Sequence, residues 1–158
     1  MLTNNDKIWL DETLEKVLGK LSKTTREIKD SIPYTTINGK WDDKSKEEYI
    51  PNDCNGIYYW TNGFYPGILW LLYHETKDEY YMEMANKVED KLDEALLGFE
   101  GLHHDVGFMW LLSSVANYRI TGNNKSKQRG QIAAGILASR FHPSAGLIRA
   151  WNHKQACN

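Results

Sequence analysis

The sequence runs to 158 residues, 41% hydrophobic and 25% charged, which is one domain's worth of ordinary globular chain. Six Trp, nine Tyr and four Phe exclude a disordered polymer. With 19 basic against 21 acidic residues the net charge is −2, so the chain lacks the basic face that a nucleic acid or a membrane surface would require.

Helical periodicity dominates, beginning with a first helix over about residues 6–31 that carries Ile8, Leu14, Val17, Leu18, Leu21 and Ile28 on one side. Asp6 reads as its N-cap, and Pro33 stops it. Residues 33–56 hold Asn38-Gly39, Asp42-Asp43, Pro51-Asn52-Asp53 and Asn55-Gly56, and read as a long connecting loop. Thr61 or Asn62 then caps a second helix through Ile68-Leu69-Trp70-Leu71-Leu72-Tyr73, apolar nearly all round and ending near Thr76-Lys77-Asp78. A third helix over about 78–97 has Tyr81, Met84, Ala85, Val88, Leu92, Ala95 and Leu96 as its apolar stripe. Its other face holds Glu83, Lys87, Glu89, Asp90 and Lys91 and reads as solvated. A fourth starts at His103-His104-Asp105, is again apolar almost all round, and runs to about Ile120. A fifth, about 125–140, is amphipathic through Ile132, Ala133, Ile136 and Leu137.

Gly67-Ile68-Leu69-Trp70-Leu71-Leu72 recurs as Gly107-Phe108-Met109-Trp110-Leu111-Leu112, 40 residues later. A buried helix followed by a half-solvated one, repeated at that period, marks an all-α helical-hairpin array. Both inner helices open just after a Gly-rich or His/Asp-rich loop, which puts those loops at one end of the array.

That end holds the residues able to carry chemistry. His103, His104 and Asp105 read either as a helix cap or as a carboxylate beside imidazoles. A metal is disfavoured, because consecutive helical residues diverge by about 100°. Trp70 and Trp110, mid-helix in apolar runs, read as core. Trp60, Phe64, Tyr65 and Trp151 sit in loops or at helix starts, where aromatic rings can serve as platforms for sugars. Gly63 and Gly67 allow a close backbone approach, to a ligand or to a neighbouring helix. Cys54 and Cys157 lie too far apart in sequence to make a disulfide framework, and two thiols do not make a zinc site. Met1-Leu2-Thr3-Asn4-Asn5-Asp6 lacks a basic n-region and an apolar h-region, and no apolar run approaches the roughly 20 residues of a membrane span. The expected location is the cytoplasm.

Residues 60–71, from Trp60-Thr61-Asn62-Gly63-Phe64-Tyr65-Pro66-Gly67 through Leu71, resemble a signature of the unsaturated glucuronyl hydrolases, glycoside hydrolase family 88. His103-His104-Asp105-Val106-Gly107-Phe108 resembles their second signature, and Gly146-Leu147-Ile148-Arg149-Ala150-Trp151 a third element. The likeness runs from about residue 57 to 152, with the first helix also in register. It implies an (α/α)6 barrel, of which this chain would supply about five helices as a single domain over 1–158. It implies a hydrolase of the unsaturated uronic acid that polysaccharide lyases leave on oligosaccharides. The C4=C5 vinyl ether is hydrated, with a proton going to C4 and water to C5, and the resulting hemiketal rearranges with loss of the glycosidic bond. By motif, Asp105 matches one of two essential aspartates, His104 a pocket residue, and Trp60 and Trp151 aromatic residues lining the sugar site, with Phe64 a further candidate. No metal or organic cofactor is implied.

The departures matter as much. The family's proton-donating aspartate falls on a helix after the third element, and residues 152–158 hold no acid. At about 40 residues per helical pair, six pairs need on the order of 240 residues, so the chain resembles the N-terminal half of such an enzyme. The alternatives are therefore a catalytically inactive truncated fragment or a non-catalytic oligosaccharide-binding helical module. Inner helices apolar on every side would expose a patch favouring homo-oligomers.

Overall fold

The structure is a computed structural model that describes residues 2–50 and 55–152. Cys54, Cys157 and the Pro51-Asn52-Asp53 turn lie outside the described residues. The chain is a helical-hairpin array of the kind found in (α/α)6 barrels. No described helix is long and apolar enough to cross a membrane.

Helix α1 (Asn4–Ile28) starts two residues earlier than its apolar spacing suggests. Thr3 is the N-cap, and Asp6 completes a capping box by accepting from the Thr3 backbone N–H at 2.8 Å, so Asp6 is not itself the cap. The helix ends before Pro33, at Lys29, whose φ of 57° turns the chain. Only its last turns pack: Thr25 and Ile28 are buried, while Ile8, Leu14 and Val17 are exposed.

The described part of residues 33–56 is more than a loop. Strands β1 (Thr36–Ile37) and β2 (Lys40–Trp41) form a hairpin with Ile37 opposite Lys40. Asn38 and Gly39 both take positive φ, 51° and 74°, as a two-residue primed turn demands. Asp42 and Asp43 staple its base: Asp42 Oδ1 accepts from the Tyr34 and Thr35 N–H groups, and Asp43 Oδ1 from that of Ile32.

A 3-10 turn (Trp60–Gly63) leads into α2 (Phe64–Thr76). Neither Thr61 nor Asn62 caps it. Asn62 is buried and its amide donates to the carbonyls of Gly56 and Ile57 at 3.0 Å each, tying the incoming segment down. Lys77 closes α2 in the left-handed region, and Asp78 caps α3 (Glu79–Gly98). α4 (Val106–Trp110), a π-helical turn (Leu111–Val115) and α5 (Ala116–Thr121) form one continuous rod, followed by α6 (Asn124–Ser139). Strands β3 (Phe141–His142) and β4 (Leu147–Ile148) make a second hairpin.

The core joins Leu69, Trp70 and Leu72 of α2, the whole predicted stripe of α3, Val106, Met109 and Trp110 of α4, and Ala133 and Ile136 of α6. Each such aliphatic side chain contributes about 1.5–3 kcal/mol. Gly63 lets the 3-10 turn lie close against α4: a Cβ there would run into the Phe108 and Met109 backbone. The approach the two glycines allow is thus to a neighbouring helix.

Two residues depart from the sequence pattern. Ile132, expected on the packed side of α6, is exposed. Glu89, expected in solvent, is fully buried. Its carboxylate collects donors from three neighbouring helices: Trp70 Nε1 at 2.7 Å, Ser114 Oγ and Ser126 Oγ at 2.8 Å, Asn117 Nδ2 at 3.1 Å and Arg129 Nη1 at 3.1 Å. Arg129 also forks onto Asp93 and reaches Asp90. A buried charge survives only when paired and fully hydrogen-bonded, and this one is.

The inner helices are not buried all round. Phe64, Ile68 and Leu71 of α2 and Phe108 and Leu111 of the second rod stand exposed on one side.

Candidate functional site

The site is assembled at the start of α4. His103, His104 and Asp105 precede the helix, so their side chains are not splayed by helical geometry. Asp105 occupies the N-cap position with φ −80° and ψ 4°, yet its side chain accepts no capping hydrogen bond. Its carbonyl takes the Phe108 N–H at 2.8 Å, and its carboxylate is left to face the two imidazoles.

His104 Nδ1 lies 2.9 Å from the Ala150 carbonyl oxygen. A carbonyl only accepts, so Nδ1 carries the hydrogen and Nε2 faces Asp105 Oδ1 across 3.3 Å. His103 Nδ1 accepts the Asp105 backbone N–H at 3.3 Å and lies 3.7 Å from Asp105 Oδ2. His103 is nearly enclosed, with 5% of its side chain exposed, and that burial pushes its pKa below 6.5. The Asp105 charge pulls upward and those of His104 and Arg140 downward, so His103 is held neutral. The three residues offer one donor atom each within 4.8 Å of one another. The divergence expected of helical neighbours is therefore absent.

Trp151 closes the cluster. Its ring centre lies 5.1 Å from that of His103 and 4.7 Å from that of His104, the latter edge-on at 82°. Trp60 and Phe64 form a separate patch with Phe108, whose ring lies 5.6 Å from Trp60 and 6.2 Å, stacked, from Phe64. The patch meets the cluster through the first turn of α4, where Phe108 follows Asp105 by three residues. His104, Asp105 and Trp151 thus come together directly, and Trp60 and Phe64 one helical turn away. Tyr65 does not join them: it is buried and its hydroxyl donates to the Lys29 carbonyl at 2.7 Å.

Several participants escaped the sequence reading. Phe108 was masked by its apolar neighbours, although its repeat position matches Ile68 and both are exposed. Tyr59 extends the aromatic row to Tyr34 (4.8 Å), with the Lys44 ammonium 5.1 Å over the Tyr34 ring. Arg140 and Asn152 hold the segment carrying Trp151. Arg140 donates to the carbonyls of Arg149 (2.7 Å) and Ala150 (2.8 Å) and to Asn152 Oδ1 (2.7 Å). Asn152 Nδ2 donates to the Leu102 carbonyl at 2.8 Å. Bonds to backbone carbonyls leave no signature in residue spacing.

No family model matches the chain. It is 33% identical over 144 residues to the unsaturated glucuronyl hydrolase of Bacillus sp. (strain GL1), covering 90% of this chain and 36% of that protein. It is 34% identical over 153 residues to an unsaturated chondroitin disaccharide hydrolase of Streptococcus agalactiae, covering 92% of this chain and 34% of that one. The crystal structure of an unsaturated glucuronyl hydrolase from Streptococcus agalactiae superposes with a TM-score of 0.77 at 30% identity, covering 97% of this chain and 36% of that structure. These proteins are homologues of the chain, which spans about a third of their length.

Proposed function

We propose that this chain carries the Asp105 carboxylate and part of the sugar platform of an unsaturated glucuronyl hydrolase, of glycoside hydrolase family 88 type. The substrate would be an oligosaccharide ending in an unsaturated uronic acid, the class named by the homologues. The observation that carries this reading is Asp105 itself. It stands where a helix would use it as a cap, makes no capping bond, and turns to two imidazoles beside a tryptophan. A carboxylate so placed can orient water or stabilise charge on a sugar ring. In the hydration, a proton reaches C4, water oxygen bonds to C5, and the hemiketal then opens with release of the alcohol of the next sugar.

His104 and Trp151 would contact the unsaturated ring. Trp60, Phe64 and Phe108 would serve as its apolar floor or as that of the adjoining sugar. Among the described residues the His103–His104–Asp105 cluster holds a single carboxylate, where the resemblance implies two essential aspartates. That observation favours, as a second reading, binding of the oligosaccharide without turnover. Phe64, Ile68, Leu71 and Leu111 of the exposed stripe line an apolar groove of about 660 Å³, against which further helices would pack, from a second copy of this chain or from elsewhere.

The test is loss of the C4=C5 absorbance of an unsaturated glucuronyl disaccharide. Turnover that falls by about 100-fold or more in Asp105→Asn supports the hydrolase. Turnover unchanged in that variant overturns it. Binding without turnover, lost in Trp60→Ala, supports the second reading instead.

A further inference from the structure

We infer that Arg140 is a positioning residue of this site, setting through the Ala150 carbonyl which nitrogen His104 presents to Asp105. The inference rests on the functional reading above for its consequence, but not for its geometry.

Three nitrogens of one guanidinium end on three oxygens of a single four-residue segment: the carbonyls of Arg149 and Ala150 and the amide oxygen of Asn152. The Arg149 N–H donates back to the Arg140 carbonyl at 2.9 Å, so the two residues hold each other at both backbone and side chain. These three bonds use the planar fork of arginine as a jig for shape, a task one ammonium group cannot perform. Asn152 then clips the far end of the segment to the Leu102 and Glu100 carbonyls, just before His103.

The Ala150 carbonyl is where the clasp meets the chemistry. It accepts from Arg140 Nη2, from the His104 backbone N–H (3.1 Å) and from His104 Nδ1 (2.9 Å). The last bond requires hydrogen on Nδ1 and so directs Nε2 at Asp105 Oδ1. The same segment seats the Trp151 ring against both imidazoles. With the clasp open, Nδ1 loses its acceptor, and with it the bond that fixes the ring with Nε2 toward Asp105 Oδ1.

The test compares wild-type chain with Arg140→Lys, Arg140→Ala and Asn152→Ala. Nitrogen-15 NMR of the His104 ring reads the hydrogen on Nδ1 and its bond, with His104→Gln to assign the signal. Trp151 fluorescence reads the seat of its ring, and the unsaturated disaccharide assay gives kcat and KM. The inference expects a hydrogen-bonded Nδ1–H in the wild type and loss of that bond in Arg140→Ala and also in Arg140→Lys. Where the wild type turns substrate over, it expects kcat to fall by up to about 100-fold with KM changed less. A stable Arg140→Ala with that bond and the fluorescence unchanged would make the clasp merely structural and overturn the inference. So would an Nδ1 without hydrogen in the wild type. If the wild type neither turns over nor binds the disaccharide, the functional reading falls, and the NMR comparison still decides the role of Arg140.

Discussion

The two inner helices carry nearly the same words 40 residues apart, and the structure uses them differently. Trp70 and Trp110 are both buried, yet the Trp70 indole donates to Glu89 Oε1, while the Trp110 indole N–H finds no acceptor among the described residues. Gly67 lies against the Leu112 backbone, where an added Cβ would come within 3.0 Å of a carbonyl oxygen, whereas a Cβ on Gly107 would meet nothing within 4 Å. The outward stripe is what they share: Ile68 and Phe108, then Leu71 and Leu111, stay exposed in register. The repeat thus fixes which side of a helix faces the layer behind it. The polar contacts made on that side belong to whichever helix arrives there.

Glu89→Ala tests this difference most severely. It strips an acceptor from Trp70, Ser114, Asn117, Ser126 and Arg129 together, and should cost about 3–5 kcal/mol in urea unfolding. Trp70→Phe should cost about 1–3 kcal/mol more than the same change at Trp110, because only the former leaves a buried carboxylate short of a donor. Equal costs would show that the Trp70–Glu89 bond contributes nothing. Gly67→Ala should destabilise by about 1 kcal/mol or more, and Gly107→Ala should stabilise by about 0.5–1 kcal/mol through helix propensity alone.

The smallest effect expected is a pH dependence at the opening of the second inner helix. His103 is buried neutral, with its pKa below the ordinary 6.5. The unfolded chain therefore binds its proton first, and stability contributed by the neutral form is full above about pH 6.5 and declines as pH falls through the folded value. His103→Asn should flatten the stability curve over that interval. Asp93 adds a second loss further down. Burial pushes its carboxyl up, but the Arg129 and Lys125 hydrogen bonds and charges outweigh this and hold it below 3.8, so its contribution disappears only as pH falls below about 4.

The helices were legible because each buries a stripe at the 3.6-residue period, and all seven apolar positions read for α3 are buried. The hairpin at 36–41 was not, since two-residue strands carry no alternation and Asn38-Gly39 alone marks the turn. Glu89 looked solvated because its neighbours in sequence are charged. Its partners arrive from α2, the π-helical turn, α5 and α6, and no local window contains them. At the site, the residue types at 103–105 announced either a cap or a reactive carboxylate, and spacing could not separate the two. Asp105 takes the N-cap position, but its side chain makes no capping bond. The three side chains converge, against expectation, because none of them lies inside the helix, which begins only at Val106.

The Ala150 carbonyl shows where ordinary mutagenesis goes blind. Three donors meet on an atom that every amino acid possesses, so a side-chain scan of position 150 would return near silence at what is structurally a junction. Such a junction is open to chemical synthesis: replacing Trp151 by its α-hydroxy acid turns the Ala150 amide carbonyl into an ester carbonyl, a weaker acceptor, with every side chain retained. A residue that appears freely replaceable in one kind of experiment would become indispensable in the other.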